Sequence, residues 1–142
     1  MEYAFLIYTT ETLHENMTPE QMQDSVNRNL AIVKEATERD VFRGLIRLAP
    51  PKQGVTARRH EKGSRFTDGP FAETKEILGG FYLIECEDEE DARAWARRLN
   101  QTGCSTAVEF RPVGDAITRD NAAAVLGACA EGQTAEDPAM FV

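Results

Sequence analysis

The chain has 142 residues, 42% of them hydrophobic and 28% charged, which suits one soluble globule with its own core and requires no second domain of comparable size. Sixteen Lys and Arg face 24 Asp and Glu, a formal charge of -8 that repels phosphate backbones and acidic lipid, so neither nucleic acid nor a membrane is expected as a partner. No uninterrupted apolar run reaches the ~18 residues of a membrane helix. The opening MEYAFLIYTT starts on Glu2 rather than a basic segment, and so reads as the first strand of a cytoplasmic protein rather than a signal peptide.

Residues 3 to 9 are aromatic and β-branched and read as a strand apolar on both faces, with Tyr3, Phe5 and Ile7 on one and Ala4, Leu6 and Tyr8 on the other. Thr10 to Met17 reads as a polar connection. Thr18 as N-cap, Pro19 at the first helical position and Gln21 at the reciprocal capping position predict a helix that ends near Asp40. Its inward stripe is expected to be Met22, Val26, Leu30, Val33 and Thr37. A second strand follows over Val41 to Ala49 and is stopped by Pro50 and Pro51.

Val55 to His60 and Ser64 to Thr67 flank Glu61, Lys62 and Gly63, the spacing of an exposed hairpin with a positive φ at the glycine. Its basic residues Arg58, Arg59, His60, Lys62 and Arg65 read as a solvated rim, because no aromatic ladder interleaves them. Gly80 to Cys86 is a third principal strand. Asp88 caps a second helix whose buried line is Ala92, Trp95, Ala96 and Leu99 and whose terminator is Gly103. Thr106 to Arg111 closes the series before Pro112. Cys86, Cys104 and Cys129 match neither a disulfide framework nor a zinc site, and are expected to be reduced thiols.

The order predicts an α+β fold, a ferredoxin-like βαββαβ with a β-hairpin insertion between strands 2 and 3. Two helices cover only one face of such a sheet, while strands one and three are apolar on both, so a homodimer is expected in which a second copy covers the open face. Residues 1-113 form that domain, and residues 114-142 a C-terminal extension with a short helix around Ala122 to Leu126 and a mobile stretch from Gly132 to Pro138.

Between the hairpin and the third strand stands TDGPFAETKEILGG, residues 67 to 80. As structure, Asp68 and Gly69 make a turn held by the Asp carboxylate, Phe71 plugs it into the core, and residues 72 to 78 add a turn or two of helix. As chemistry, Asp68 is a candidate general acid or base with His14 beside it. Arg43, Arg47, Phe71, Glu73 and Tyr82 would bind a small polar or anionic ligand, with Gly69, Pro70, Thr74, Lys75, Glu76, Gly79 and Gly80 shaping the loop. His60 is a weaker candidate. No metal is expected, since two histidines without a carboxylate triplet make no site, and no cofactor, since the phosphate-binding, nucleophile-elbow and zinc-protease signatures are all missing.

GSRFTDGPFAETKEILGGFYLIECEDEEDARAWARRL resembles the signature region of the DGPF domain proteins, a branch of the YCII-related family, and MEYAFLIYTT and VEFRPV resemble that family's usual ends. The resemblance covers roughly residues 1 to 113. It implies a ferredoxin-like protomer dimerised as an α/β barrel, similar in fold to muconolactone isomerase and the small antibiotic monooxygenases. The smaller YCII-like proteins are associated with a His-Asp pair whose histidine lies in the first helix, and this sequence has no histidine between Pro19 and Asp40. Three functions follow as alternatives: a metal-free acid-base enzyme acting on a small molecule, a non-catalytic ligand-binding or regulatory module, or a structural latch in which Phe71 crosses the dimer interface.

Overall fold

The computed structural model describes residues 1–130, with the backbone alone for residues 129 and 130. The stretch from Gly132 to Pro138 and the Cys129 side chain therefore lie outside the described residues. Met1–Arg111 forms one compact unit and the described residues from Pro112 onward belong to another. In the first unit the elements are β1 (Glu2–Thr9), α1 (Glu11–Glu15), α2 (Pro19–Glu38), β2 (Phe42–Arg47), β3 (Val55–His60), β4 (Gly63–Asp68), β5 (Ile77–Glu85), α3 (Glu89–Asn100) and β6 (Ala107–Pro112). In the second, α4 (Ala122–Ala130) follows a turn in which Asn121 accepts from the Thr118 N–H at 2.7 Å. The fold is α+β, with no helix among the described residues long and apolar enough to cross a membrane.

The main sheet runs in the order β2-β5-β1-β6, and β3 with β4 makes a separate two-stranded ribbon. β5 pairs antiparallel with both β1 and β2. Tyr3 and Phe5 from β1 and Tyr82, Ile84 and Cys86 from β5 face Ile32 and Ala36 of α2 and Ala92, Trp95 and Leu99 of α3. Trp95, Phe5, Ile84 and Leu99 are the large side chains sealed there, so the core is one layer between the sheet and two helices. Directly opposed residues share a face, and the pairs Ala4 with Leu83, Leu6 with Phe81 and Tyr8 with Leu78 lie on the side away from that layer.

The caps are as the sequence dictates. Thr18 accepts from the Gln21 N–H at 3.1 Å while Gln21 accepts from the Thr18 N–H at 2.9 Å, and Asp88 accepts from the Asp91 N–H at 2.8 Å. Gly63 has φ +120°, as its hairpin position requires. Gly103, at φ +89°, follows the end of α3 two residues beyond its cap.

Several expectations are corrected. The connection after β1 contains α1, nucleated by Thr10, whose hydroxyl accepts from the Leu13 N–H at 3.2 Å. The buried line of α2 is Ser25, Ile32 and Ala36, while Leu30 is 59% exposed and Thr37 is exposed too. Small side chains let the helix sit close to the sheet, so an apolar count alone misplaces the stripe. Two bulges break the alternation, one skipping Arg43 on β2 and one skipping Gly79 on β5. β5 begins at Ile77, three residues earlier than expected, so residues 77 and 78 are strand rather than helical turn, and Gly79 and Gly80 stand inside the strand. A Cβ on Gly80 would lie 2.3 Å from the Ile46 carbonyl oxygen, which makes glycine there a condition of β2 pairing.

Candidate functional site

The 69–76 segment is held from the base of the ribbon. Gly69, at φ +95°, donates its N–H to the Gly54 carbonyl at 2.7 Å, and the Thr56 hydroxyl donates to the Gly69 carbonyl at 2.9 Å. The Arg58 guanidinium donates to the Phe71 carbonyl at 2.6 Å and lies 5.8 Å from that residue's ring centre. The Thr74 hydroxyl donates to the Glu76 carbonyl at 2.7 Å, tightening the approach to β5.

This path brings the segment against the β1–α1 connection and encloses a cleft of about 250 Å³. Pro70, Ala72, Glu73, Thr74, Lys75 and Ile77 line one side, and Thr10, Glu11, Thr12 and Pro51 the other. Two acidic residues, one lysine and three threonines thus contribute to the lining of this half-open cleft, with the Thr10 and Thr74 hydroxyls engaged by the Leu13 N–H and the Glu76 carbonyl. Glu11, Glu73 and Lys75 are all exposed, so each keeps much of its hydration.

Only part of the expected constellation assembles. Glu73 lines the cleft, with the motif residues Pro70, Thr74 and Lys75. Asp68 ends β4 opposite Val55 and is exposed, and among the described residues its carboxylate makes no hydrogen bond, so it does not hold the turn. Phe71 is 73% exposed and plugs no core. Glu76 is exposed beside the cleft without lining it. His14 rides on α1 as an exposed residue outside the lining.

Arg43 is displaced by its bulge to the Leu83–Ile84 end of β5, where its guanidinium donates to the carbonyls of Asp40 and Phe42. Six or seven strand residues separate that point from Ile77, about 20 Å, so Arg43 does not reach the segment. Arg47 pairs with Gly80 and lies close enough to Tyr82 to favour its ionised form slightly, but it does not line the cleft.

Tyr82 is a core residue rather than a pocket wall. It is 2% exposed beneath α2, and its hydroxyl donates to Asn29 Oδ1 at 2.6 Å. Burial pushes that phenol up to about 12, with the neighbouring Cys104 acting in the same sense. Asn29 in turn donates to the Ser25 carbonyl at 2.8 Å and to Cys104 Sγ at 3.7 Å, so the polar chain is satisfied internally. Cys86 and Cys104 are free thiols, and burial raises Cys86 to about 11. Among the described residues no three His, Cys, Asp or Glu side chains cluster in a way that could hold a metal ion.

Sequence reasoning missed Thr10, Glu11 and Thr12. The available signal was Thr10 followed by Glu11, a capping residue before an acidic first turn, but five helical residues leave almost no periodicity to detect.

The same chain matches the YCII-related domain over residues 1–115. It belongs to the YCII-related family. An uncharacterized protein of Rhizobium meliloti (strain 1021) is 36% identical over 115 residues, which cover 80% of this chain and 92% of that relative. Among solved structures, a 5-chloro-2-hydroxyhydroquinone dehydrochlorinase from Burkholderia phenoliruptrix AC1100, in complex with 2,5-dihydroxybenzoquinone, aligns with a TM-score of 0.39 and 12% identity. The alignment covers 79% of this chain and 92% of that one, and a likeness this slight carries no inference about chemistry.

Proposed function

We propose that this YCII-related chain is a small-ligand-binding protein of the DGPF branch, which takes a small polar molecule in the cleft between its 69–76 segment and the β1–α1 connection. The single observation that carries the reading is that Glu73 and Lys75 line one cleft together with Glu11, Thr10, Thr12 and Thr74. Mixed charge favours a ligand with both a cationic or hydroxylic edge for the carboxylates and an anionic or carbonyl edge for Lys75. Assignment to the DGPF branch rests on TDGPFAETKEILGG itself.

Acid-base catalysis on the same ligand is the second reading, with Glu11 or Glu73 in the role first given to Asp68 and His14. It is favoured by two acidic residues in one lining and disfavoured by their exposure, since acid-base catalysis is favoured where bulk water is excluded. The protomer is of ferredoxin-like type, with residues 114–142 an extension of it. A second copy packs on the open face of Leu6, Phe81 and Leu83 as a dimeric α/β barrel. The free thiols Cys86 and Cys104 support a cytoplasmic setting.

The test is a thermal-shift and calorimetric panel of amino acids, small carboxylates, amines and phenols against wild type, Glu73→Gln and Lys75→Met. Compounds that raise the wild-type Tm and fail to raise that of both variants are the expected result. A panel that shifts no protein, or shifts all three alike, overturns the cleft as a ligand site.

A further inference from the structure

Every residue of the β3–β4 ribbon except Thr56 is exposed, although two strands alone are marginal in water. One face carries Val55 and Phe66, the latter 71% exposed. On the other, Arg58 stands directly opposite Arg65, a like-charge pair that destabilises a ribbon unless acidic groups meet it. With Arg59 and Lys62, and only Glu61 against them, the tip is cationic within an acidic chain, and the ion pairs among the described residues include none of these four basic side chains.

The complementary surface is at the start of α3. Glu87, Asp88, Glu89, Glu90 and Asp91 run without a break, all but Asp91 exposed; Glu89 and Glu90 pair with Arg93 and Arg97 on the same helix, and Asp88 and Asp91 accept backbone N–H bonds, so Glu87 is the carboxylate there without a partner among the described residues. The ribbon connects to β5 before Ile77, whereas α3 follows Glu85, so the two chain segments leave opposite ends of a strand about 26 Å long. Among the described residues no ion pair joins them within the protomer.

We propose that the ribbon is an arm that docks on the acidic first turn of α3 in a second copy of this chain. Under two-fold symmetry each arm reaches its partner's acidic turn, so one contact type closes twice. Exposed phenylalanine and arginine side chains are the residue types enriched at interface cores. The contact is separate from pairing through the open sheet face and from ligand binding in the cleft.

Charge exchange tests it. An arm variant carries Arg59→Glu and Arg65→Glu, leaving Arg58 to its bond with Phe71, and a helix variant carries Glu87→Lys and Glu90→Lys. In low salt each variant should self-associate roughly tenfold or more weakly than wild type by sedimentation equilibrium. An equimolar mixture of the two should regain wild-type association, because every arm then faces a turn of opposite charge. At about 0.5 M salt the differences should shrink.

Wild-type association by either variant, or a mixture that regains nothing, overturns the proposal. Loss of association on Leu83→Asp while both charge variants behave as wild type leaves sheet pairing standing and removes the arm. Binding of a single-stranded oligonucleotide that the arm variant alone loses, with self-association unchanged, assigns the arm to a polyanion and likewise overturns it.

Discussion

The Tyr82 hydroxyl donates to Asn29 Oδ1 at 2.6 Å, fastening the middle of β5 to α2 from inside the apolar layer. Tyr82→Phe leaves the Asn29 oxygen without that donor and should destabilise the protein by about 1–2 kcal/mol in urea titrations at neutral pH.

The same bond sets an alkaline limit. Tyr82 ionises at about 12 in the folded protein, above its ordinary value of 10, because burial penalises the phenolate. Below pH 10 both folded and unfolded chains hold the proton and the contribution is fully present. As pH rises through about 12 the unfolded chain releases it first, and stability falls. Wild type should therefore lose more stability between pH 9 and 12 than Tyr82→Phe does, read from paired denaturation curves; parallel curves would refute the assignment.

The fold was legible where one residue type has one physical use. Thr18 with Gln21, Asp88 and Gly63 each announce a cap or turn, and the alternation in β1 separates Tyr3 and Phe5 from Ala4 and Leu6 correctly. Illegible were the features that tertiary packing decides. The bulge at Arg43 puts Phe42 and Leu45 on one face despite their spacing of three, which no period-two pattern contains. Ser25 and Asn29 lie on the inward line of α2 because space is short there and Tyr82 supplies a donor, whereas apolarity alone points to Leu30. The cleft was half legible. The motif side was readable, but its opposite wall depends on where α1 comes to rest.

Gly80 gives the sharpest steric prediction. Its Cβ would fall 2.3 Å from the Ile46 carbonyl oxygen and 3.2 Å from the Arg47 Cα, both backbone atoms that cannot swing aside. Gly80→Ala should cost roughly 1–3 kcal/mol or more and loosen β2, seen as faster amide exchange at Ile46 and Leu48. Gly63→Ala, at an open position with φ +120°, should instead act through backbone strain of about 1 kcal/mol or more.

Glu35 joins the two long helices. It pairs with Arg98 at 2.7 Å and Arg39 at 3.6 Å, and both guanidiniums lie about over the Trp95 ring, 4.9 and 5.1 Å from its centre. The hydrogen bond from Arg98, more than any other influence, holds the Glu35 carboxyl below its ordinary 4.5. A lowered folded value means stability that is present above pH 4.5 and lost as pH falls through the lower one. With 43% of the side chain exposed the pair is solvent-screened, so Glu35→Gln should cost less than about 1 kcal/mol at pH 7 and progressively less as pH falls below 4.5. A cost that persists undiminished at pH 3 would show that packing, not charge, makes the difference.

The anchoring of the 69–76 segment separates two accounts of Asp68. Thr56 and Arg58 bond the carbonyls of Gly69 and Phe71, whereas the Asp68 carboxylate stands exposed. Asp68→Asn and Asp68→Ala should therefore be equally mild, within about 0.5 kcal/mol, by thermal or urea unfolding. Thr56→Val, which removes one partly buried donor at nearly constant shape, should cost about 1 kcal/mol and free the segment, raising amide exchange at Gly69. Because the cleft depends on that path, any compound that binds wild type through Glu73 and Lys75 should bind Thr56→Val more weakly, although Thr56 touches no part of the cleft. Unchanged affinity in a demonstrably loosened segment would mean that the ligand itself orders residues 69–76, and the anchoring would then be dispensable for binding.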